Sequence, residues 1–167
     1  SKILNVEELE ASHRELKVET IDLIKIVEGV VASFQERSKN KRIEIKTIFQ
    51  DNKHNIVGDV THVIQIIENL VSNALKFSNP ESEVTLVLNN LEKYVELKVI
   101  DQGQGLSKEE LPKLFKKFQK LSAQPTSGET STGLGLSIVK KYVEEMDGEV
   151  SCTSELGKGT TFTLMLV

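Results

Sequence analysis

The sequence predicts an α/β fold, a two-layer sandwich of one mixed, mostly antiparallel sheet with its helices on one face. Two observations carry this. Paired segments of alternating apolar and polar residues, 83–90 with 94–101 and 149–155 with 160–167, are each joined by a short turn, as in β-hairpins. Other segments, over 21–38, 59–77 and 134–147, read as helices. The 167 residues fit one domain with one core.

Residues 1–13 read as the charged end of a helix. LKVETIDL (16–23) reads as a strand passing into the helix over 21–38, with Asp22 as its N-cap. RIEIKTIF (42–49) alternates and predicts a strand with one buried face, and NIVGD (55–59) a short strand and turn. The helix over 59–77 is broken by Asn79-Pro80. A short helix is expected over 107–118, with Ser107 and Glu110 as a capping box. Residues 119–132 (QKLSAQPTSGETST) are polar and turn-rich, and a loop that long in a compact domain is usually functional or disordered. In the helix over 134–147, Ile138, Val139, Tyr142, Val143 and Met146 recur at helical spacing, and Gly148 stops it.

The net charge is −4, so nothing suggests nucleic acid or a membrane surface, and any phosphate affinity must come from local geometry. The single cysteine, Cys152, excludes an internal disulfide and reads as a packed or surface thiol in a strand. No apolar run reaches the length of a membrane span, and no signal peptide opens the chain. The start at SKILNVEELE, without an initiator Met, reads as that of an excised fragment.

The candidate site begins on the helix over 59–77. Val60, Val63, Ile64, Ile67, Val71 and Ala74 fall on one side at about 100° per residue. His62, Gln65, Asn69, Asn73 and Lys76 fall on the other. Asn69 and Asn73 project from neighbouring turns, and amide oxygens suit Mg²⁺ that also holds phosphates. Lys76 could meet a phosphate as a point charge. Read alone, the same face also fits a solvated polar surface.

DQGQG (101–105) ends an apolar strand. A carboxylate at Asp101 can accept from an exocyclic amine such as that of adenine, and an ordinary Asx turn fits as well. In GLGLSIVK (133–140), Gly133 and Gly135 leave the free N–H groups of a helix start uncovered, which favours anions. In LFKKFQK (114–120), Phe115 and Phe118 read as core, while Lys116 or Lys117 could reach a terminal phosphate or form a solvated face. His13 and His54 lie in polar stretches, and His62 has no partner at metal-ligand spacing. The absence of GxxxxGKS argues against a P-loop enzyme.

In this order the motifs resemble the ATP-binding catalytic domain of sensor histidine kinases, in the GHKL ATPase superfamily. QIIENLVSNALKFS (65–78) resembles the N box, VIDQGQGL (99–106) the first glycine box and LFKKFQKL (114–121) the F box. TGLGLSIVKKYVEEMDGEV (132–150) resembles the second glycine box, and SELGKGTTFTLMLV (154–167) the closing glycine-rich hairpin. The resemblance runs from about residue 14 to the end.

It implies ATP and Mg²⁺ as ligands. Asn73 with Asn69 would hold the metal, Lys76 would touch phosphate, and Asp101 would accept from the adenine amine. Gly103, Gly105 and Leu106 would shape the pocket. Residues 119–132 would form the ATP lid, ending at Thr132, and Gly133, Leu134, Gly135 and Leu136 would present N–H groups to the phosphates. Phe118 and Thr161 also fall among the implied ATP-binding positions. Asn69 and Lys117 are the implied catalytic positions. Lys117 stands where the family often has Arg, which keeps the charge and loses the planar fork.

The implied reaction moves the γ-phosphoryl group of ATP to a histidine on a separate helical dimerisation domain, for relay to an aspartate of a response regulator receiver domain. His13 is followed by Arg14, where the family's acceptor usually precedes Glu or Asp. Residues 1–13 are therefore expected to be a C-terminal remnant of the dimerisation domain and 14–167 the catalytic domain. Such a fragment is expected to be cytoplasmic and monomeric, from a homodimeric parent, and to bind ATP without efficient autophosphorylation. It needs no nucleic acid and no direct membrane contact. Related alternatives are a gyrase- or mismatch-repair-type ATPase, a nucleotide-binding regulator, and a serine kinase of the anti-sigma type. The first generally carries a catalytic Glu where this chain has Asn69. Glu68 is adjacent but points about 100° away.

Overall fold

The computed structural model describes residues 17–116 and 135–167. In chain order the elements are β1 (Val18–Asp22), α1 (Leu23–Ser33), α2 (Gln35–Lys41), β2 (Glu44–Phe49), β3 (Asn55–Asp59) and α3 (Val60–Phe77). Then come β4 (Glu83–Asn90), β5 (Val95–Asp101), a 3-10 turn (Leu111–Lys113), α4 (Gly135–Glu145), β6 (Glu149–Glu155) and β7 (Gly159–Leu166). Among the described residues no helix is long and apolar enough to cross a membrane.

Alternation builds the sheet. In β4, β5 and β7, Val84, Leu86, Leu88, Val95, Leu97, Val99, Phe162, Leu164 and Leu166 all turn inward and are buried. The helices α3 and α4 pack over this inner face and against each other. Strand order is β2-β4-β5-β7-β6, with β2–β4 parallel and the other pairs antiparallel. Both expected hairpins are present.

The strands nonetheless form two sheets where one was expected, because β1 and β3 pair only with each other. His54 accounts for the departure of β3. Its ring is fully buried, with Nδ1 2.7 Å from Asn90 Oδ1 and Nε2 2.9 Å from the Asp51 carbonyl. Its own carbonyl accepts from Leu23 N at 2.9 Å. A histidine in a polar stretch thus pins the chain to the end of β4 and turns it toward β1.

Asp22 caps α1 as expected, accepting from Ile24 N at 3.1 Å. The single helix expected over 21–38 is two, because Ser33 Oγ donates back to Val30 O at 2.6 Å and Phe34 leaves helical geometry (φ −100°, ψ 2°). Asp59 caps α3 through Thr61 N (2.9 Å) and His62 N (3.3 Å). Burial pushes the Asp59 carboxyl up, but the N–H groups of Lys17, His62 and Thr61 outweigh it and hold the carboxyl below its usual value.

The helix expected over 107–118 does not form in its described part. Ser107 and Glu110 do pair, through Ser107 Oγ at 3.1 Å and Ser107 N at 3.4 Å. Pro112, however, lacks the N–H an α-helix would need there, and a 3-10 turn takes its place. At the end of α4 the left-handed residue is Asp147 (φ 58°), with Gly148 N reaching Val143 O at 3.0 Å. Gly148 follows it where a Cβ would lie 2.6 Å from Met165 O.

Candidate nucleotide site

The buried arc of α3 is turned toward its amide side, because α4 covers that side. His62, Ile66 and Leu70 are buried there, while Val60 and Ile64 on the expected core side are only half-buried. The His62 ring lies flat on Tyr142 of α4, centroids 4.0 Å apart and planes 2° apart. Asn69, Asn73 and Lys76 are left half-buried at the rim.

Asn69 faces the start of α4. Its Oδ1 lies 3.4 Å from where a Cβ on Gly135 would stand. Its Nδ2 is buried and has no hydrogen-bond partner among the described residues. A buried, unpaired amide costs stability unless a ligand or water completes it. The orphaned Nδ2 donor therefore fits a ligand oxygen, while Oδ1 is the atom a hard cation would take. Leu136 is half-buried one residue into α4. At the far end of α3, Lys41 Nζ donates to the Leu75 and Lys76 carbonyls at 2.5 and 2.9 Å, which anchors the turn carrying Lys76.

Asp101 ends β5 and is buried. Its Oδ1 accepts from Gly103 N (2.9 Å) and Thr160 N (3.2 Å), and Oδ2 carries no such bond among the described residues. Burial pushes this carboxyl up, the two N–H groups pull it back, and it settles at about 6. The side chain is thus a fixed acceptor with one open oxygen.

The glycine loop is pressed between two walls. Gly103 bridges Ser78 at the end of α3, and a Cβ on it would strike the Phe77 carbonyl. Gly105 has φ +73°, and a Cβ there would strike the Glu155 carbonyl. Leu106 is buried, and its N–H donates to Ser154 Oγ at 2.7 Å.

Asn69 and Gly135 come together, as do Asp101, Gly103, Gly105 and Leu106. Thr161 does not join them. It pairs with Ile100 and Thr153, and β7 alternation puts it on the sheet face opposite Phe162. Thr160, the partner of Asp101, is the buried one. Thr160 is therefore the neighbour of Asp101 that was missed. Counting back in twos from the inward Leu166, Leu164 and Phe162 would have found Thr160.

Phe115 packs edge-on against Phe162 at 6.2 Å, a core position as read from the sequence. Burial and the Asp101 charge push the Cys152 thiol up to about 12, so it is no nucleophile. Among the described residues no three His, Cys, Asp or Glu side chains could hold a metal together. Lys117, Phe118, Thr132, Gly133, Leu134 and the proposed lid 119–132 lie outside the described residues.

A sequence profile of the family described as histidine kinase-, DNA gyrase B-, and HSP90-like ATPase matches residues 58–167. Sensor protein EvgS of Escherichia coli (strain K12) is 32% identical over 170 residues, which cover 99% of this chain and 14% of EvgS. The structure of full-length ShkA in complex with AMPPNP superposes with a TM-score of 0.82 at 28% identity, over 96% of this chain and 33% of that one. Histidine kinase ThkA in complex with response regulator protein TrrA superposes with a TM-score of 0.79 at 21% identity, over 96% of this chain and 45% of that one, a likeness of fold. The chain thus spans the minor part of each of these proteins.

Proposed function

The chain belongs to the family of histidine kinase-, DNA gyrase B- and HSP90-like ATPases, and from that premise we propose that it is the catalytic domain of a two-component sensor kinase. It binds ATP with Mg²⁺ and moves the γ-phosphoryl group to a histidine on a separate helical dimerisation domain, for relay to a response regulator aspartate. Residues 14–167 form this domain and 1–13 end the preceding one. The 167-residue chain alone is a monomer and autophosphorylates poorly.

One observation carries the reading: Asp101 is a buried carboxylate with an open oxygen, held beside the glycine loop by the N–H groups of Gly103 and Thr160. The unpaired Asn69 amide at the start of α4 supports it. Asp101 accepts the adenine amine. Gly103, Gly105 and Leu106 form the wall beside it. The N–H groups of Gly135 and Leu136, which open α4, face the phosphates, and Gly133 and Leu134 are assigned to phosphate binding with them. Asn69 and Asn73 hold Mg²⁺ through amide oxygens, and the bound cation offsets phosphate charge. Lys76 is assigned to phosphate, Lys117 to a catalytic cation role, and Phe118 and Thr132 to ATP binding. Phosphoryl transfer needs this positioning and neutralisation more than covalent chemistry by the protein. The nucleotide in the ShkA structure and the response regulator in the ThkA structure support the choice of ligand and partner.

Asn69 favours the kinase over a gyrase-type ATPase, which carries a glutamate there. Labelled γ-phosphate supplied as ATP, with the parent's dimerisation domain added, is expected to appear on a histidine of that domain as an acid-labile adduct. Tight ATP binding without transfer would replace the kinase by a nucleotide-binding regulator.

A further inference from the structure

Ser154 sits on β6, outside every position assigned above. Its hydroxyl touches three groups from two segments: Leu106 N at 2.7 Å, Gly159 O at 2.9 Å and Thr160 Oγ1 at 2.8 Å. A hydroxyl has one proton and two lone pairs. One arrangement uses all of them: Leu106 N–H and the Thr160 hydroxyl donate to Ser154 Oγ, and Ser154 donates to Gly159 O.

The two segments it joins are those that hold Asp101. Gly103 N, three residues before Leu106, and Thr160 N both donate to Asp101 Oδ1. A backbone bond, Gly157 N to Gln104 O at 2.8 Å, runs beside the Ser154 bond between loop and hairpin. Through its side chain, Ser154 thus ties the Gly105–Leu106 wall to the start of β7.

We infer that Ser154 is a positioning residue for base recognition, fixing the spacing between the glycine loop and β7 and so the aim of the Asp101 carboxylate. The inference rests on the nucleotide reading above. A carboxylate held in one orientation separates an amine-bearing purine from one that presents a carbonyl at the same edge. Once the carboxylate can swing, that separation weakens.

The test is calorimetric titration of the 167-residue chain with ADP and with GDP, for wild type and the variants Ser154→Ala, Ser154→Val and Ser154→Thr. Val and Thr have the same shape and differ in the hydroxyl. Ala and Val are expected to weaken ADP binding about 3- to 10-fold, the worth of a lost hydrogen bond, and to lower the ADP-to-GDP affinity ratio by a similar factor. Thr is expected to keep the wild-type ratio. A ratio within about twofold of wild type in Ala and Val, with only a lower Tm, makes Ser154 structural and overturns the inference. A wild type that binds neither nucleotide removes the nucleotide reading itself, and the inference with it. If Ala and Val do not fold, hydrogen exchange in the wild type decides. A protected Leu106 N–H supports the inference, and rapid exchange without nucleotide overturns it.

Discussion

Thr160 donates its backbone N–H to Asp101 Oδ1 at 3.2 Å, joining the closing hairpin to the first glycine loop. With the Gly103 N–H on the same oxygen, it makes a buried carboxylate tolerable and leaves one oxygen for a ligand. The site therefore lies where two motifs far apart in sequence meet on adjacent strands.

Burial makes the charge of Asp101 sensitive to pH near neutrality. Its carboxyl is raised from 3.8 to about 6, so the folded state holds the proton more tightly than the unfolded state. Its charge costs nothing below about pH 4, where both states are protonated. Stability is lost as pH rises from about 4 to 6, amounting to about 3 kcal/mol above that. Nucleotide binding runs the other way, because a protonated carboxyl is a poorer acceptor. Affinity for an ATP analogue is expected to fall as pH drops through about 6, and calorimetry at about pH 5 and about pH 7.5 checks it. Equal affinity at both would remove Asp101 from the base contact.

Asn69 is predicted to serve binding rather than stability. Its buried Nδ2 has no partner to lose among the described residues, and alanine is the better helix former. Asn69→Ala should leave the unfolding free energy within about 1 kcal/mol of wild type, while weakening Mg²⁺-dependent nucleotide binding at least tenfold, about 1.4 kcal/mol. Urea denaturation beside calorimetry separates the two effects.

Gly105→Ala places a Cβ on the Glu155 carbonyl at a left-handed φ. A cost of about 2 kcal/mol or more is expected from strain and displacement together. Thermal unfolding measures it, and an unchanged Tm would show that the loop does not press on β6 in this way.

Asp59→Ala removes the cap of α3, at a cost of about 1 kcal/mol. The Asp59 carboxyl is lowered in the folded state, so its contribution is present above the usual carboxylate range. It is lost as pH falls through the folded value. The difference between wild type and variant in urea should therefore shrink on acidification.

Local pattern accounts for much of the architecture. The hairpins were readable because strict alternation survives in β4, β5 and β7, and the α1 cap because Asp22 precedes an apolar run. What was not readable depends on distant partners or on side chains that oppose a pattern. Ser33 breaks a helix by back-bonding, Pro112 reduces another to a 3-10 turn, and His54 steers β3 into a second sheet. The exposed face of α3 could not be drawn from α3 alone, since Tyr142 of α4 covers part of it. At the site, Asp101 and its glycines were visible as a short motif. Ser154 was not, because its loop partner lies 48 residues away. Thr160 rather than Thr161 stands against Asp101, a one-residue step that reverses the face of a strand.

In the proposed function, Asp101 accepts from the base while amides on α3 hold the metal. Calorimetric titration with a non-hydrolysable ATP analogue, with and without Mg²⁺, on wild type and Asp101→Asn, tests it most directly. Mg²⁺-strengthened binding is expected in the wild type, and affinity at least tenfold weaker in the variant, the worth of a hydrogen bond to a charged group at about 1.5–3 kcal/mol. Binding that ignores both Mg²⁺ and the substitution, or a wild type that does not bind, would contradict it.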